Sequence, residues 1–128
     1  GYLIAHPAVI NAMLLVRLPY HLSALTQAAA RAALSQSELL LNKVSTIRNS
    51  RDELARQLVQ RGLSVVPSQA NFLLFTGFNR PASEIWRELV EQGILIRDVG
   101  ISGYLRVTIG TPKENAEFIA ALTQSITK

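Results

Sequence analysis

The chain has no cysteine. That excludes a disulfide framework, a thiolate metal site and a cysteine nucleophile, and it fits a reducing cytoplasm, where the chain is expected to reside. Histidine is nearly as scarce. His6 and His21 stand beside a proline and a tyrosine and form no H-x-x-x-H spacing, so no metal site is expected. No apolar run approaches the roughly eighteen residues of a membrane span, and the N-terminus lacks the basic start and small-residue cleavage pattern of a signal peptide. Long blocks of one charge are missing too. Thirteen Lys and Arg against nine Asp and Glu leave a net +4 that is spread along the chain. Aromatic residues make up only 6%. A nucleic-acid face would interleave aromatics with cations, but Trp86 reads as inward-facing and Tyr104 stands alone beside Arg106, so no nucleic-acid partner is expected.

What remains is a chain of 128 residues, 48% hydrophobic, which is long enough for one core and short for two. It opens with a β-like run, residues 2–5, ahead of a helical stretch that Pro7 can initiate. A leading strand needs a neighbour. The expectation is therefore that the chain is a fragment whose missing part lies upstream. After Leu18-Pro19-Tyr20, one long helical region is expected over about 23–61. Leu40, Val44, Ile47, Leu54 and Leu58 recur there at three- and four-residue steps, and Arg51 interrupts the stripe. Arg48, Arg51, Arg56 and Arg61 alternate with Asp52 and Glu53 and read as a solvated face. Gly62 stops this helix.

Two β-like runs follow, "LSVVP" and residues 70–75. A short helix over 81–92 then turns Ile85, Trp86, Leu89 and Val90 inward, with Gly93 as its stop. Strands are expected over 94–97 and 104–109 around a turn at 98–103. Thr111, Pro112 and Glu114 spell an N-cap, an N1 proline and a capping box for a last helix that buries Phe118, Ile119, Leu122 and Ile126. The order predicts an α+β fold with a small, mainly antiparallel sheet covered by helices.

Each strand of the last hairpin carries one arginine. Side chains alternate along a strand, so Leu105, Val107 and Ile109 share one face, with Tyr104, Arg106 and Thr108 on the other. The same parity sets Leu95 and Arg97 opposite Ile94 and Ile96. Arg97 and Arg106 can therefore share the face away from the helices, while Asp98 falls on the other parity. An anion is then the missing partner, since the arginine fork matches a carboxylate or phosphate. Alternatively each arginine snorkels or pairs with Glu84, Glu88 or Glu117. The residues alone leave both readings open.

The pieces "SQANFLLF", "LVEQGILIRDVG" and "YLRVTIGTPKEN", in this order, resemble the C-terminal end of histidinol-phosphate aminotransferases, pyridoxal-phosphate enzymes of the fold type I aminotransferase superfamily. "RLPYHLSALTQAAARAAL" is similar to the segment that joins that family's two domains. The resemblance implies that residues 1–21 are a remnant of the large cofactor-binding domain and its junction, and that 22–128 are interdomain helices and the C-terminal small domain. It implies that Arg106 and Arg97 hold the acidic end of a phosphorylated or carboxylated substrate. Asn71 and Tyr20 match recurrent family positions and imply structural or supporting roles, with His21 standing where the family has Asn. The Schiff-base lysine and an arginine for the cofactor phosphate would lie just before Gly1. Lys43, Lys113 and Lys128 have no setting suited to that task. The resemblance thus implies pyridoxal phosphate and a homodimer for the full-length enzyme, and no bound cofactor and no transamination for this chain alone. An aromatic amino-acid aminotransferase of the same superfamily, or a stand-alone anion-binding regulatory domain, are the alternatives.

Overall fold

The computed structural model describes residues 2–127, which fall into two compact units, one ending at Leu40 and one beginning at Leu41. In the first, α1 (Pro7–Val16) starts with proline at N1, behind a His6 side chain that accepts a hydrogen bond from the Ala8 N–H at 3.3 Å. The missing N–H of Pro7 is one that a helix start leaves unpaired anyway. The second helix, α2 (Ala24–Ser35), is capped by Ser23, whose hydroxyl accepts from the Thr26 N–H at 3.0 Å. Residues 2–5 form no strand, contrary to expectation. Among the described residues no strand lies along them, and without one their apolar run has no ladder to join.

The single helix expected over 23–61 is two. α3 (Ser37–Gln60) follows α2 after a break at Gln36, which sits at φ −111° and ψ 25°. At this break the Gln36 N–H bonds the Ala33 carbonyl, three residues back, and not that of Ala32. The Ser35 hydroxyl donates to the Ala32 carbonyl at 2.8 Å, the kind of side-chain bond that offers the backbone an alternative to the helix.

In the second unit, the strands are β1 (Ser64–Val65), β2 (Phe72–Thr76), β3 (Arg97–Asp98) and β4 (Leu105–Thr108); α4 (Ala82–Glu91) lies between β2 and β3, and α5 (Pro112–Ile126) follows β4. The sheet order is β1-β2-β4-β3 and every pair is antiparallel. The central pairing sets Phe72 against Thr108, Leu73 against Val107, Leu74 against Arg106 and Phe75 against Leu105. Leu73, Phe75, Leu105 and Val107 therefore share a face. They are buried in one core with Leu54 and Leu58 of α3, Ile85 and Leu89 of α4, and Phe118, Ile119 and Leu122 of α5. Phe75 sits at its centre, fully buried, edge-on to Phe78 at 5.6 Å and to Phe118 at 6.0 Å.

Two helices stop in the same way. Gly62 and Gly93 adopt φ of 82° and 79°, a region costly for any residue with a Cβ. After α3, the Leu63 N–H reaches back to the Leu58 carbonyl and the Gly62 N–H to Val59. After α4, the Ile94 N–H reaches Leu89 and the Gly93 N–H reaches Val90. These are Schellman caps that turn Leu63 and Ile94 towards the core.

The start of α5 carries the predicted capping box. The Glu114 carboxylate accepts from the Thr111 N–H at 2.6 Å, and the Thr111 hydroxyl accepts from the Glu114 N–H at 3.3 Å. One residue earlier, the Asn115 side-chain amide accepts from the Gly110 N–H at 3.0 Å and donates to the Gly110 carbonyl at 3.1 Å.

Two outcomes follow from this packing. Phe75→Ala removes a fully buried ring from the centre of the core and is expected to cost about 3–5 kcal/mol in chemical denaturation. The hydrogen bonds from the Thr111 backbone and then its side chain hold the Glu114 carboxyl below its ordinary value of 4.5. Its charge thus stabilises the fold fully above about pH 4.5, and that contribution is lost as pH falls through the lowered folded value. In a series of melting temperatures against pH, Glu114→Ala should flatten this acid limb.

Candidate anion-binding site

The last hairpin is shorter on its first side than the sequence suggests, and the reason also places the site. Residues 94–96 do not enter the ladder; β3 begins at Arg97. Two of their backbone groups are engaged by α4 instead. The Ile94 N–H closes the helix cap at 2.9 Å, and the Trp86 indole N–H donates to the Ile96 carbonyl at 3.0 Å. The hairpin therefore pairs only near its turn, where Arg97 stands directly opposite Arg106 and Asp98 opposite Leu105.

Residues facing each other across an antiparallel pair put their side chains on the same side of the sheet, with Cβ atoms about 4.5–5.5 Å apart. Arg97 and Arg106 thus share the face opposite the core, along with Phe72 and Leu74 of β2. Like charges in this relation repel unless something negative lies between them. Among the described residues no carboxylate does so. Glu84 and Glu88 are both held by Arg80, at 3.3 and 2.7 Å, and these bonds, Glu88 first, raise the Arg80 pKa further above its already high ordinary value. Glu117 faces Lys113 at 3.8 Å. Asp98 falls on the other parity, and its carboxylate accepts from the Gly100 N–H at 2.9 Å in the turn.

The two cations differ in setting. Arg97 is exposed, whereas Arg106 is half-buried with its guanidinium carbon 4.8 Å from the centroid of the Phe72 ring. Its Nε is buried and has no hydrogen-bond partner. A guanidinium lying on a ring, with a buried donor unpaired and a second guanidinium alongside, is chemically an acceptor-seeking site. The forked geometry suits a carboxylate or a phosphate.

The other predicted positions are placed as follows. Asn71 is exposed and immediately precedes β2; its backbone carbonyl accepts from the Ile109 N–H at 2.9 Å, which extends the β2–β4 ladder by one bond. Tyr20 belongs to the unit that ends at Leu40, where it is 99% exposed and holds a φ of 55°, unusual for a residue with a side chain. Lys43 is exposed on α3, and Lys113 is exposed at the start of α5; Lys128 lies outside the described residues. Neither described lysine has the enclosed setting that binding pyridoxal phosphate through its amine requires.

Two residues were missed or misread from the sequence. Arg51, assigned to a solvated face, is buried. Its guanidinium donates to Asp52 at 2.9 and 3.0 Å and to the Ala70 carbonyl at 3.4 Å, tying α3 to the loop ahead of β2. The signal was available, because Arg51 falls in the apolar stripe rather than beside it. Phe72 was read only as part of a strand. Its place under Arg106 depends on the β2–β4 register, which no local pattern announces.

The sequence profile of the family Aminotransferase class I and II matches residues 1–122. The chain belongs to that family. This aminotransferase chain is 59% identical over 122 residues to the histidinol-phosphate aminotransferase of Mycobacterium sp. (strain JLS), covering 94% of the chain and 32% of the relative. It thus spans about a third of the length of the curated relatives it matches. Among solved structures, a protein from Burkholderia pseudomallei K96243 superposes with a TM-score of 0.82 at 27% identity, covering 91% of this chain and 37% of that one. The histidinol-phosphate aminotransferase of Clostridium acetobutylicum gives the same TM-score at 20% identity, covering 94% and 38%, and shows the shared fold. The α+β architecture expected from the sequence is the one observed. No described helix is long and apolar enough to cross a membrane.

Because Arg51 anchors the Ala70 carbonyl next to the Asn71–Ile109 bond, Arg51→Ala is expected to cost about 1–3 kcal/mol in denaturant unfolding. Hydrogen exchange at the Ile109 amide should rise with it.

Proposed function

We propose that the protein carrying this chain is a pyridoxal-phosphate-dependent aminotransferase exchanging an amino group between histidinol phosphate and 2-oxoglutarate, and that this segment is its C-terminal portion. The family uses pyridoxal phosphate, which supplies the electron sink for amino transfer when bound. No described lysine here is fit to hold it, so the cofactor is assigned to the part of the protein upstream of Gly1, and this chain alone is expected to be inactive. Residues 1–21 then belong to the large domain and its junction, and 22–128 to the interdomain helices and small domain.

The observation that carries the reading is the cross-strand pair Arg97 and Arg106, placed on one face and free of carboxylate partners among the described residues. In the proposed enzyme they receive the substrate's anionic end, neutralise it and fix its orientation, without transferring a proton. Histidinol phosphate is favoured as substrate because the Mycobacterium relative at 59% identity carries that name. The same two forks accept a dicarboxylate in the other half-reaction. A homodimer is part of the proposal; in the first unit α1 and α2 bury no residue and Leu15, Val16, Leu18 and Leu25 are between 74% and 87% exposed. Apolar surface of that kind calls for cover by other parts of the full protein or a second subunit.

The test replaces Arg97 or Arg106 with Ala in the full-length enzyme and measures steady-state kinetics. Each loss of charge-assisted hydrogen bonds is expected to raise KM for histidinol phosphate by roughly tenfold or more. Unchanged KM in both variants would remove the arginine pair from the substrate site.

A further inference from the structure

Resting on the anion-site reading above, we infer that Phe72 is a positioning residue for Arg106: its ring is the shelf that fixes the guanidinium for the substrate's anionic group. Three observations meet at this point. The Arg106 guanidinium carbon lies 4.8 Å from the Phe72 centroid, within the range at which a cation is held by the ring's quadrupole. The register brings the two together diagonally, since Arg106 opposes Leu74 and Phe72 opposes Thr108 on the same face. And no side-chain hydrogen bond or ion pair among the described residues fixes Arg106 otherwise, while its Nε is buried and unpartnered.

An arginine normally takes its orientation from the acceptors around it. Here that task falls to the ring, which leaves the fork with no protein acceptor among the described residues. Contact with the ring also restricts the fork, and such preorganisation lowers the ordering cost when the anion arrives. The shelf itself is pinned from behind. The Ser68 hydroxyl donates to the Phe72 carbonyl at 2.7 Å and accepts from the Ala70 N–H at 3.1 Å, so the backbone leading into Phe72 is held in a fixed turn.

A positioning role differs from a merely structural one in being conditional on Arg106. The experiment is a double-mutant cycle in the full-length enzyme with Phe72→Leu and Arg106→Ala, reading KM for histidinol phosphate, kcat and melting temperature. Phe72→Leu should raise KM roughly five- to thirtyfold with little change in kcat. Phe72→Tyr, which keeps the ring, should remain near wild type. In the Arg106→Ala background Phe72→Leu should add nothing. If Phe72→Leu leaves KM unchanged while Arg106→Ala raises it, the shelf is wrong and the anion site stands; if Arg106→Ala itself has no effect, the site reading fails first. Additive effects of the two substitutions would make Phe72 structural and overturn the inference. Should Phe72→Leu not fold, Phe72→Met enters the same cycle and is judged by the same outcomes.

Discussion

Almost everything about this molecule's second unit depends on the register between β2 and β4. With Phe75 opposite Leu105 and Leu73 opposite Val107, four apolar side chains meet the helices together. A slip of one residue would reverse every side chain on the slipped strand and drive Arg106 into the core. Burial of the one face thus fixes the composition of the other. The arginine pair is the far side of a packing solution rather than an independent construction.

The helices determine how far that sheet extends. The Gly93 cap and the Trp86 indole draw residues 94–96 towards α4, so β3 pairs with β4 only at Arg97 and Asp98. This concentrates the hairpin's cross-strand contact at the two cations. Carboxylates that might have neutralised them are occupied elsewhere, most visibly Glu84 and Glu88 on Arg80. Charge is therefore separated within a small domain, with one arginine fully engaged and two others left facing outward.

Much of this was legible because it follows from short-range rules. Parity along "YLRVTIG" and "ILIRD" placed the arginines, left-handed glycines marked the helix ends, and Thr111 with Glu114 announced α5. What was not legible depended on competition between local and distant partners. Residues 94–96 are apolar enough for a strand, but α4 takes the Ile94 N–H through its cap and the Ile96 carbonyl through Trp86. Residues 2–5 likewise look strand-like, yet strand character is a property of pairs. The break at Gln36 hides inside a sequence whose alanines favour continued helix; there the Ala32 carbonyl takes the Ser35 hydroxyl and the Gln36 N–H turns to Ala33. Arg51 was misread because charge outweighed position: its place in the apolar stripe was the better guide.

The Asn115 amide at Gly110 has a meaning beyond the start of α5. Backbone groups alternate sides along a strand, and since the Ile109 N–H points to β2, those of Gly110 point to the side that β3 vacates early. By both donating to and accepting from Gly110, the side chain imitates the peptide group of an absent neighbour. It quenches an open sheet edge at the point where another chain would otherwise find a template. One asparagine thus takes the place of a pairing partner for a residue just beyond β4.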